Sequence, residues 1–155
     1  MNLYETDWHA WVQEQAVLLE QGRFDALDVD HLVEELELMA GSARGELVNR
    51  LIVLLTHLLK LHVAAQHLPM DLQRAGRGWR QTCRTQRVRL VGVLRRNPSL
   101  HLWLPADVQE AYEVAMLEAA QALGLEELPL PAQCPWTAEQ ILDEAFWPEA
   151  TREEA

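Results

Sequence analysis

The chain has 155 residues, of which 49% are apolar and 24% are charged, as in one globular domain with a buried core. Its formal net charge of −11 disfavours unspecific attraction to nucleic acid or to an anionic membrane surface. The two cysteines, Cys83 and Cys134, have neither the number nor the spacing of a disulfide framework or a zinc site. The N-terminal residues lack the basic and apolar regions of a signal peptide, so we expect a cytoplasmic location with reduced thiols.

The first predicted helix covers residues 7–21, with Thr6 as its N-cap and Gly22 after its last turn. One of its faces carries mostly large apolar side chains at helical spacing. These positions are Trp8, Trp11, Val12, Gln15, Leu18 and Leu19. A short connection follows, in which we expect Phe24 and Leu27 to contact the core.

A second helix is predicted over residues 28–66, because its apolar positions keep helical phase through Gly41 and Gly45. These positions are Leu32, Val33, Leu36, Met39, Ala40, Ala43, Leu47, Leu51, Leu54, Leu55 and Leu58. A straight helix of that length would span roughly 58 Å. Two helices broken at Gly41 are the alternative, since each glycine in a helix interior costs up to ~1 kcal/mol.

The segment 51–60 is apolar on every side of this helix, so at least two neighbouring elements, or a second copy of the chain, must surround it. It is too short to cross a bilayer, and Arg50 and Lys60 close it at both ends. We therefore predict the centre of a soluble helical bundle and no membrane contact. A helical pattern this long also favours pairing between chains, so the expected partner is a protein, first of all a second copy in a homodimer.

Residues 74–78 contain two glycines and are predicted to form a mobile linker or a loop. A third helix over residues 79–96 should end where a proline follows Asn97, because the residue before proline disfavours helical geometry. A fourth helix begins at Pro105 and ends at Gly124. After a proline-rich extended segment, the capping-box spacing that starts at Thr137 predicts a final short helix.

These patterns contain no convincing strand signal and no internal repeat. The predicted fold class is therefore all-α, an irregular four-helix bundle with one long central helix and a short C-terminal helix. We expect a single helical domain over residues 1–150, followed by a polar and disordered tail at residues 151–155.

Several short motifs follow one another in order between Tyr4 and Pro148. They are Tyr4-x-x-Asp7-Trp8-x-x-Trp11-x-x-x-Gln15, Gly22-x-Phe24-x-x-Leu27-Asp28, Leu32-x-Glu34-Glu35-Leu36-Glu37-x-Met39, His57-Leu58-Leu59-Lys60, Trp79-Arg80-x-Thr82-x-x-x-Gln86-Arg87, Asn97-Pro98-Ser99-Leu100 and Cys134-Pro135-Trp136-Thr137. Their order and spacing resemble a bacterial family of uncharacterised proteins catalogued as domain of unknown function number twenty-nine. The resemblance implies an all-helical fold and no particular reaction. Leu61, where an aromatic residue is frequent, and Gly78, where serine is frequent, depart from the family pattern.

Basic residues are concentrated in one window, because eight of the thirteen lie within residues 74–96 and no acidic residue interrupts them. Four of them share one helical stripe. The stripe consists of Arg77, Arg80, Arg84 and Arg87. One interpretation is a surface that binds nucleic acid or phosphate. The other, which we favour, is internal neutralisation by salt bridges to carboxylates such as Glu34, Glu37 or Glu113.

His31, Glu34 and Glu35 lie on adjacent turns of the second helix and are the candidate metal ligands. Two helices that each carry such a pattern can build a carboxylate-bridged metal site. Here one helix carries it, and surface acids with an occasional histidine are far commoner than metal sites. The alternative function that this pattern indicates is a small metal-dependent or hydrolytic enzyme.

We expect His57 to be a neutral core residue that bonds a backbone carbonyl, and Lys60 to extend outward from the core edge. No serine lies in a nucleophile elbow, and no glycine-rich phosphate loop is present. We therefore predict no catalytic residue and no cofactor. The favoured function is a non-enzymatic protein-interaction or adaptor module.

Overall fold

The computed structural model describes residues 2–68 and 71–148, and within these ranges it contains helices, turns and no strand. The helices are α1 (Leu3–Thr6), α2 (Trp8–Glu20), α3 (Val29–His67), α4 (Leu72–Arg96), α5 (Leu104–Leu123) and α6 (Ala138–Leu142). Short 3₁₀ segments at Phe24–Ala26 and Pro98–Leu102 lie between them. The all-α prediction is confirmed, with one long central helix and a short C-terminal one. The tail predicted at residues 151–155 lies outside the described residues.

The chain divides into two compact units, which we call unit 1 (Met1–Ser42) and unit 2 (Ala43–Ala155). Unit 1 holds α1, α2 and the first turns of α3, and unit 2 holds the rest of α3 with α4, α5 and α6. The single domain expected over residues 1–150 stays a prediction.

The start of α2 differs from the sequence prediction by one residue. Asp7, not Thr6, is the N-cap, and its carboxylate accepts a hydrogen bond of 3.0 Å from the main-chain amide of Ala10. Residues 3–6 form the separate short helix α1, which ends where the amide of Asp7 bonds the carbonyl of Leu3. The connection after α2 also differs, because Phe24 is 66% exposed and does not pin the chain to a core.

α3 is one helix of 39 residues, so the prediction of a single long helix is confirmed and the break at Gly41 does not occur. Both Gly41 and Gly45 lie inside it, with open space where a side chain would be. The uninterrupted phase of the apolar positions therefore outweighed the low helix propensity of the two glycines.

The linker predicted over residues 74–78 is wrong, because α4 begins at Leu72 and runs through both glycines. Asp71 is the N-cap, and its side chain accepts hydrogen bonds from the amides of Gln73 and Arg74. This cap satisfies two of the amides that a helix start leaves unpaired, and the helix continues from there into its apolar part. α4 ends at Arg96, before Asn97 and Pro98, as predicted.

The core of unit 2 surrounds the middle of α3, where five leucines are fully buried. They are Leu51, Leu54, Leu55, Leu58 and Leu59. Buried side chains of α4, α5 and α6 pack in the same cluster, among them Leu90, Tyr112 and Ile141. α5 contributes the small residues Ala111, Ala115 and Ala119, which allow close approach of helices. The prediction that neighbours enclose this segment is confirmed, and the neighbours belong to the same chain.

Two local signals near the C-terminal end of unit 2 are also confirmed. Gly124 ends α5 in the left-handed region, with a φ of 70°, where a residue with a Cβ would be strained. Thr137 and Gln140 form the reciprocal hydrogen bonds of a capping box at the start of α6.

Among the described residues, α3 is the helix that is long and apolar enough to cross a membrane, with a mean hydropathy of 1.5 over its best window. Of that window, 56% is buried inside the protein. The core helix of a soluble protein passes the same test of length and composition.

Candidate functional site

The candidate site is an open groove in unit 1 between α2 and the first turns of α3. The lining residues of each helix recur every three or four positions and therefore lie on one face of that helix. The two faces line the groove together. The groove has a volume of about 450 Å³. Its lining consists of Trp8, Trp11, Val12, Gln15, Ala16, Leu19, Leu32, Glu35, Leu36 and Met39.

Large apolar side chains of this lining are exposed to an unusual degree. Trp8 is 52% exposed, Leu36 61% and Met39 69%. A monomeric soluble protein rarely leaves so many apolar side chains contiguous and uncovered unless they bind something. The leucines that α3 contributes to unit 2 are fully buried, so within this helix the exposed leucines are confined to unit 1.

Asp28 organises the polar end of the groove. Its Oδ2 accepts a hydrogen bond of 3.0 Å from the indole Nε1–H of Trp11 and lies 2.7 Å from Nδ1 of His31. Its main-chain amide donates to Oε1 of Gln15, which is buried, at 2.8 Å. A single residue at the start of α3 therefore fixes two α2 side chains of the lining, Trp11 and Gln15.

Tyr4, which belongs to α1, packs at the same polar end of the groove. Its hydroxyl donates to Oε1 of Glu35 at 2.8 Å, and its ring stacks on that of His31 with centroids 3.9 Å apart. It also meets the Trp11 ring edge to face, with centroids 4.8 Å apart. These contacts tie α1, α2 and α3 together at the point where the apolar part of the groove begins.

The protonation states of this cluster follow from its hydrogen bonds. The hydrogen bond to His31 lowers the pKa of Asp28, with the Trp11 indole acting in the same direction. The carboxylate of Asp28 in turn raises the pKa of His31. The hydrogen bond to Glu35 raises the pKa of Tyr4 to about 12, so its hydroxyl stays protonated and keeps donating.

Unit 1 is strongly acidic. Residues 1–42 contain ten acidic side chains and a single arginine, Arg23. On the two helices that form the groove, Glu14, Glu20, Glu34 and Glu37 are exposed. The groove therefore combines an apolar lining with a negative surrounding.

The metal ligands predicted at His31, Glu34 and Glu35 gain no support from the geometry. His31 is engaged with Asp28, and Glu35 accepts the hydroxyl of Tyr4. Across the described part of the chain, no three histidine, cysteine, aspartate or glutamate side chains are arranged to hold a metal ion. Of the three predicted ligands, His31 and Glu35 belong to the polar end of the groove, and the metal site stays a prediction.

The four arginines of the predicted stripe divide between two environments. Arg87 is buried, and its Nε and Nη2 donate to the carbonyls of Ile141 and Phe146 at 2.8 Å each. Its guanidinium also lies over the ring of Trp147 at 4.8 Å, so it holds the C-terminal segment to α4. Arg77, Arg80 and Arg84 line a separate hollow on α4.

Two other arginines of unit 2 form ion pairs with acidic residues. The guanidinium of Arg44 bonds the buried Asp107 at 2.8 Å, and that of Arg50 bonds Glu46 at 3.0 Å. The carboxylates proposed as partners of the stripe, Glu34, Glu37 and Glu113, form none of the ion pairs between described residues.

Two of the polar residues in the apolar segment of α3, His57 and Lys60, have their surroundings inside unit 2. Nδ1 of His57 lies 2.8 Å from the carbonyl of Val53, as predicted, and burial lowers its pKa, which favours the neutral imidazole. The side chain is half-buried and lies at the edge of the core. The ammonium group of Lys60 lies 4.7 Å from the ring centre of Trp79. Burial lowers the pKa of Lys60.

With the geometry described, comparison with known proteins assigns the chain to a family. A family model described as "Domain of unknown function DUF29" matches residues 3–147. The chain belongs to this family. The resemblance inferred from the motifs is thereby confirmed, and unit 1 and unit 2 both lie within the DUF29 match. No curated protein and no solved structure matches this DUF29 chain.

The sequence predicted the helical faces that carry the lining residues but did not predict the groove between them. It placed Trp8, Trp11, Leu32, Leu36 and Met39 on helical faces that were expected to be buried. Which part of an apolar face remains exposed to solvent depends on what packs against it. The spacing of apolar residues in one helix carries no information about that packing. The one usable signal was the acidic composition of residues 1–42, which separates this part of the chain from the basic window further along.

Proposed function

We propose that the protein is a non-enzymatic interaction module, and that its groove in unit 1 binds a basic amphipathic helix of a protein partner. The observation that carries the proposal is the groove itself, with eight apolar side chains among its ten lining residues. An apolar helix face laid into such a groove recurs in protein recognition, and its anchors repeat every three to four residues.

The charge of unit 1 determines which kind of partner helix the groove favours. Ten acidic side chains against one arginine repel an acidic partner and attract one whose flanks carry lysine or arginine. Exposed methionine suits such a role as well, because its flexible side chain adapts to different apolar anchors. Met39 is the most exposed of the large apolar residues in the lining.

The cluster around Asp28 supports the same function by keeping the groove open. Hydrogen bonds from Trp11 and to Gln15 hold these two α2 side chains against the start of α3. A groove whose walls are fixed before binding loses less conformational entropy when a ligand enters.

The test uses the full chain and a synthetic 18-residue helix with leucines on one face and lysines on its flanks. We expect binding by fluorescence anisotropy that weakens at high salt, because screening reduces the attraction of unit 1 for the lysines. Replacing the lysines by glutamates should weaken binding by about tenfold or more. Equal binding of both peptides would contradict the proposed charge selection.

Matched variants locate the binding surface. Leu36→Gln and Met39→Gln change exposed lining residues, and each should weaken peptide binding by about tenfold because apolar contact area is lost. Leu38→Gln is the control, since Leu38 lies on the same helix, is 66% exposed and is not part of the lining. If all three variants weaken binding equally, the groove is not the site.

A second copy of the chain is the competing occupant of the groove. The homodimer predicted from the sequence stays a prediction, but the buried middle of α3 no longer offers it a surface. Light scattering coupled to gel filtration decides between the two occupants. A dimer that Leu36→Gln dissociates and Leu38→Gln leaves intact would seat a second copy on the groove and overturn the basic-helix proposal.

We also propose that the protein works in a reducing cytosol. Neither Cys83 nor Cys134 forms a disulfide, which fits a compartment that keeps thiols reduced.

A further inference from the structure

A second surface is the outer side of α4 in unit 2, which we call the arginine face. The opposite side of this helix packs in the core of unit 2 through Cys83, Leu90 and Val93. The exposed arginines of α4 lie on the outer side. They are Arg74, Arg77, Arg84, Arg89, Arg95 and Arg96. Between Arg77 and Arg96 the helix rises by roughly 28 Å, so the face extends over about five turns.

The arginine face consists of two rows of arginines with an uncharged strip between them. Arg77, Arg84 and Arg95 follow one line along the helix, and Arg89 and Arg96 follow another. At 3.6 residues per turn, the two rows lie roughly a third of the circumference apart. The strip between the rows consists of Gly78, Gln81, Thr85, Val88 and Gly92.

The positive charge of the arginine face is not neutralised within the described part of the chain. The ion pairs between described residues involve His31, Arg44 and Arg50 and none of the exposed arginines of α4. The helix itself contains no acidic residue. The guanidinium of Arg84 lies 5.4 Å from the ring centre of Trp147, a contact that orients this side chain and leaves its charge in place. The face therefore attracts a partner that carries negative charge.

The uncharged strip determines how closely such a partner can approach. Gly78 and Gly92 have open space where a side chain would be. Glycine destabilises a helix interior, and packing within the described part of the chain gives no reason for it at these two positions. Small residues at a helix contact let two helix axes come closer together. Val88, which is 65% exposed, supplies an apolar contact in the same strip.

We propose that the arginine face is the docking surface for an acidic α-helix of a partner protein. The partner helix lies along the strip, and carboxylates on its two edges pair with the two rows of arginines. Charged residues that flank the contact line of two paired helices set the choice of partner in the same way. An apolar residue in the strip favours a helix over nucleic acid, because a phosphate backbone gains nothing from Val88. The net charge of −11 also opposes the approach of a polyanion.

The experiment uses the full chain and a synthetic 21-residue helix with alanines on its contact side and glutamates along both edges. We expect saturable one-to-one binding by fluorescence anisotropy that weakens at high salt, because the contacts are ionic. This surface is separate from the groove in unit 1, so Leu36→Gln should leave binding of the acidic peptide within about twofold of the wild type. No saturable binding at submillimolar concentration overturns the proposal and leaves the groove proposal standing.

Charge reversals in the two rows locate the contact. Arg77→Glu and Arg89→Glu change one arginine in each row, and each should weaken binding of the acidic peptide by about tenfold because attraction becomes repulsion. Arg23→Glu is the control, since Arg23 is exposed in unit 1 and its reversal changes the net charge by the same amount. Equal weakening by all three variants would show attraction to the overall charge and overturn the proposal.

Gly92→Gln tests the strip without changing any charge. Glutamine is a better helix former than glycine, so α4 should stay folded, which circular dichroism verifies. We expect about tenfold weaker binding of the acidic peptide, because the added side chain occupies the space of the partner helix. Gly41→Gln, which also fills open space beside a helix, is the control and should leave binding unchanged. If Gly92→Gln binds the acidic peptide like the wild type, the helix does not lie along the strip and the proposal is wrong.

Two other occupants of the arginine face are tested in separate arms. A random DNA duplex that binds more tightly than the acidic peptide, and that Arg77→Glu and Arg89→Glu weaken, would assign the face to nucleic acid and overturn the proposal. Light scattering coupled to gel filtration tests a second copy of the chain. A dimer that Arg89→Glu dissociates and Arg23→Glu leaves intact would place that copy on the arginine face and overturn the proposal as well.

Discussion

At the scale of single residues, Asp28 joins the start of α3 to two side chains of α2 in unit 1. Its side chain joins Trp11 and His31, and its main-chain amide joins Gln15. The residue stands immediately before α3, where a carboxylate also interacts favourably with the positive end of the helix. Asp28 therefore holds two side chains of the groove lining, Trp11 through its carboxylate and Gln15 through its main-chain amide.

We predict that His31 titrates above its ordinary value of 6.5 and that Asp28 is the reason. The pair then contributes its full stabilisation between the ordinary pKa values of the two groups, 3.8 and 6.5. This stabilisation is lost as the pH rises through the raised pKa of His31, and also as the pH falls through the lowered pKa of Asp28. Asp28→Asn should bring the titration midpoint, followed by NMR of the imidazole protons, back toward 6.5. Asp30→Asn, in the first turn of α3 and two residues after Asp28, is the control and should leave the titration midpoint of His31 unchanged. A wild-type midpoint at or below 6.5 would contradict the prediction.

At the scale of elements, α3 and α4 show how glycine can lie inside a helix for different reasons. Gly45 in α3 faces open space, so nothing in the surroundings requires it. Gly76 in α4 is different, because a Cβ there would lie 3.1 Å from Arg80 Nη1 and 3.3 Å from Leu61 Cδ2. Leu61 is fully buried and has little room to move.

We therefore predict opposite effects of the same substitution at these two positions. Gly45→Ala should raise the free energy of unfolding by about 0.5–1 kcal/mol, because alanine loses less backbone entropy in a helix. Gly76→Ala should lower it, because the added methyl group crowds the buried Leu61 and displaces Arg80. Urea unfolding of both variants beside the wild type measures the difference. An equal gain in both would show that the surroundings of Gly76 adapt freely.

At the scale of the whole molecule, charge and burial are distributed unevenly. The net charge of −11 conceals an acidic unit 1 and a basic α4, so the average says little about what either surface attracts. Burial is uneven in the same way. The core of unit 2 contains the fully buried leucines of α3, whereas in unit 1 Leu36, Leu38 and Met39 of that helix are exposed.

We predict that amide hydrogen exchange divides α3 into two regions. Amides of residues 51–64, which lie in the core of unit 2, should exchange slowest of all and report global unfolding. Amides of residues 32–40 should exchange at least about tenfold faster, since few buried contacts oppose their local opening. Uniform protection along the whole helix would contradict this division. Binding of the basic peptide to the groove should slow exchange in the 32–40 region selectively.

The sequence by itself determined most of the helices, because helix formation depends on residues that are close together in the chain. The phase of the apolar positions gave the single helix through Gly41 and Gly45, Pro98 gave the end of α4, and the Thr137 spacing gave the cap of α6. The prediction was wrong at the start of α4, where two glycines indicated a linker. The helix forms there because the N-cap at Asp71 and the packing of the following turns outweigh the low helix propensity of glycine.

Only the tertiary structure decided what each helical face does. Leu36 and Leu55 belong to the same apolar stripe in the sequence, yet one is exposed in a groove and the other is fully buried. Arg77 and Arg87 belong to the same basic stripe, yet one lines a hollow and the other bonds carbonyls more than fifty positions further along the chain. Periodicity fixes the direction in which a side chain points from its own helix. Burial and hydrogen-bond partners come from residues distant in sequence, and no local pattern encodes them.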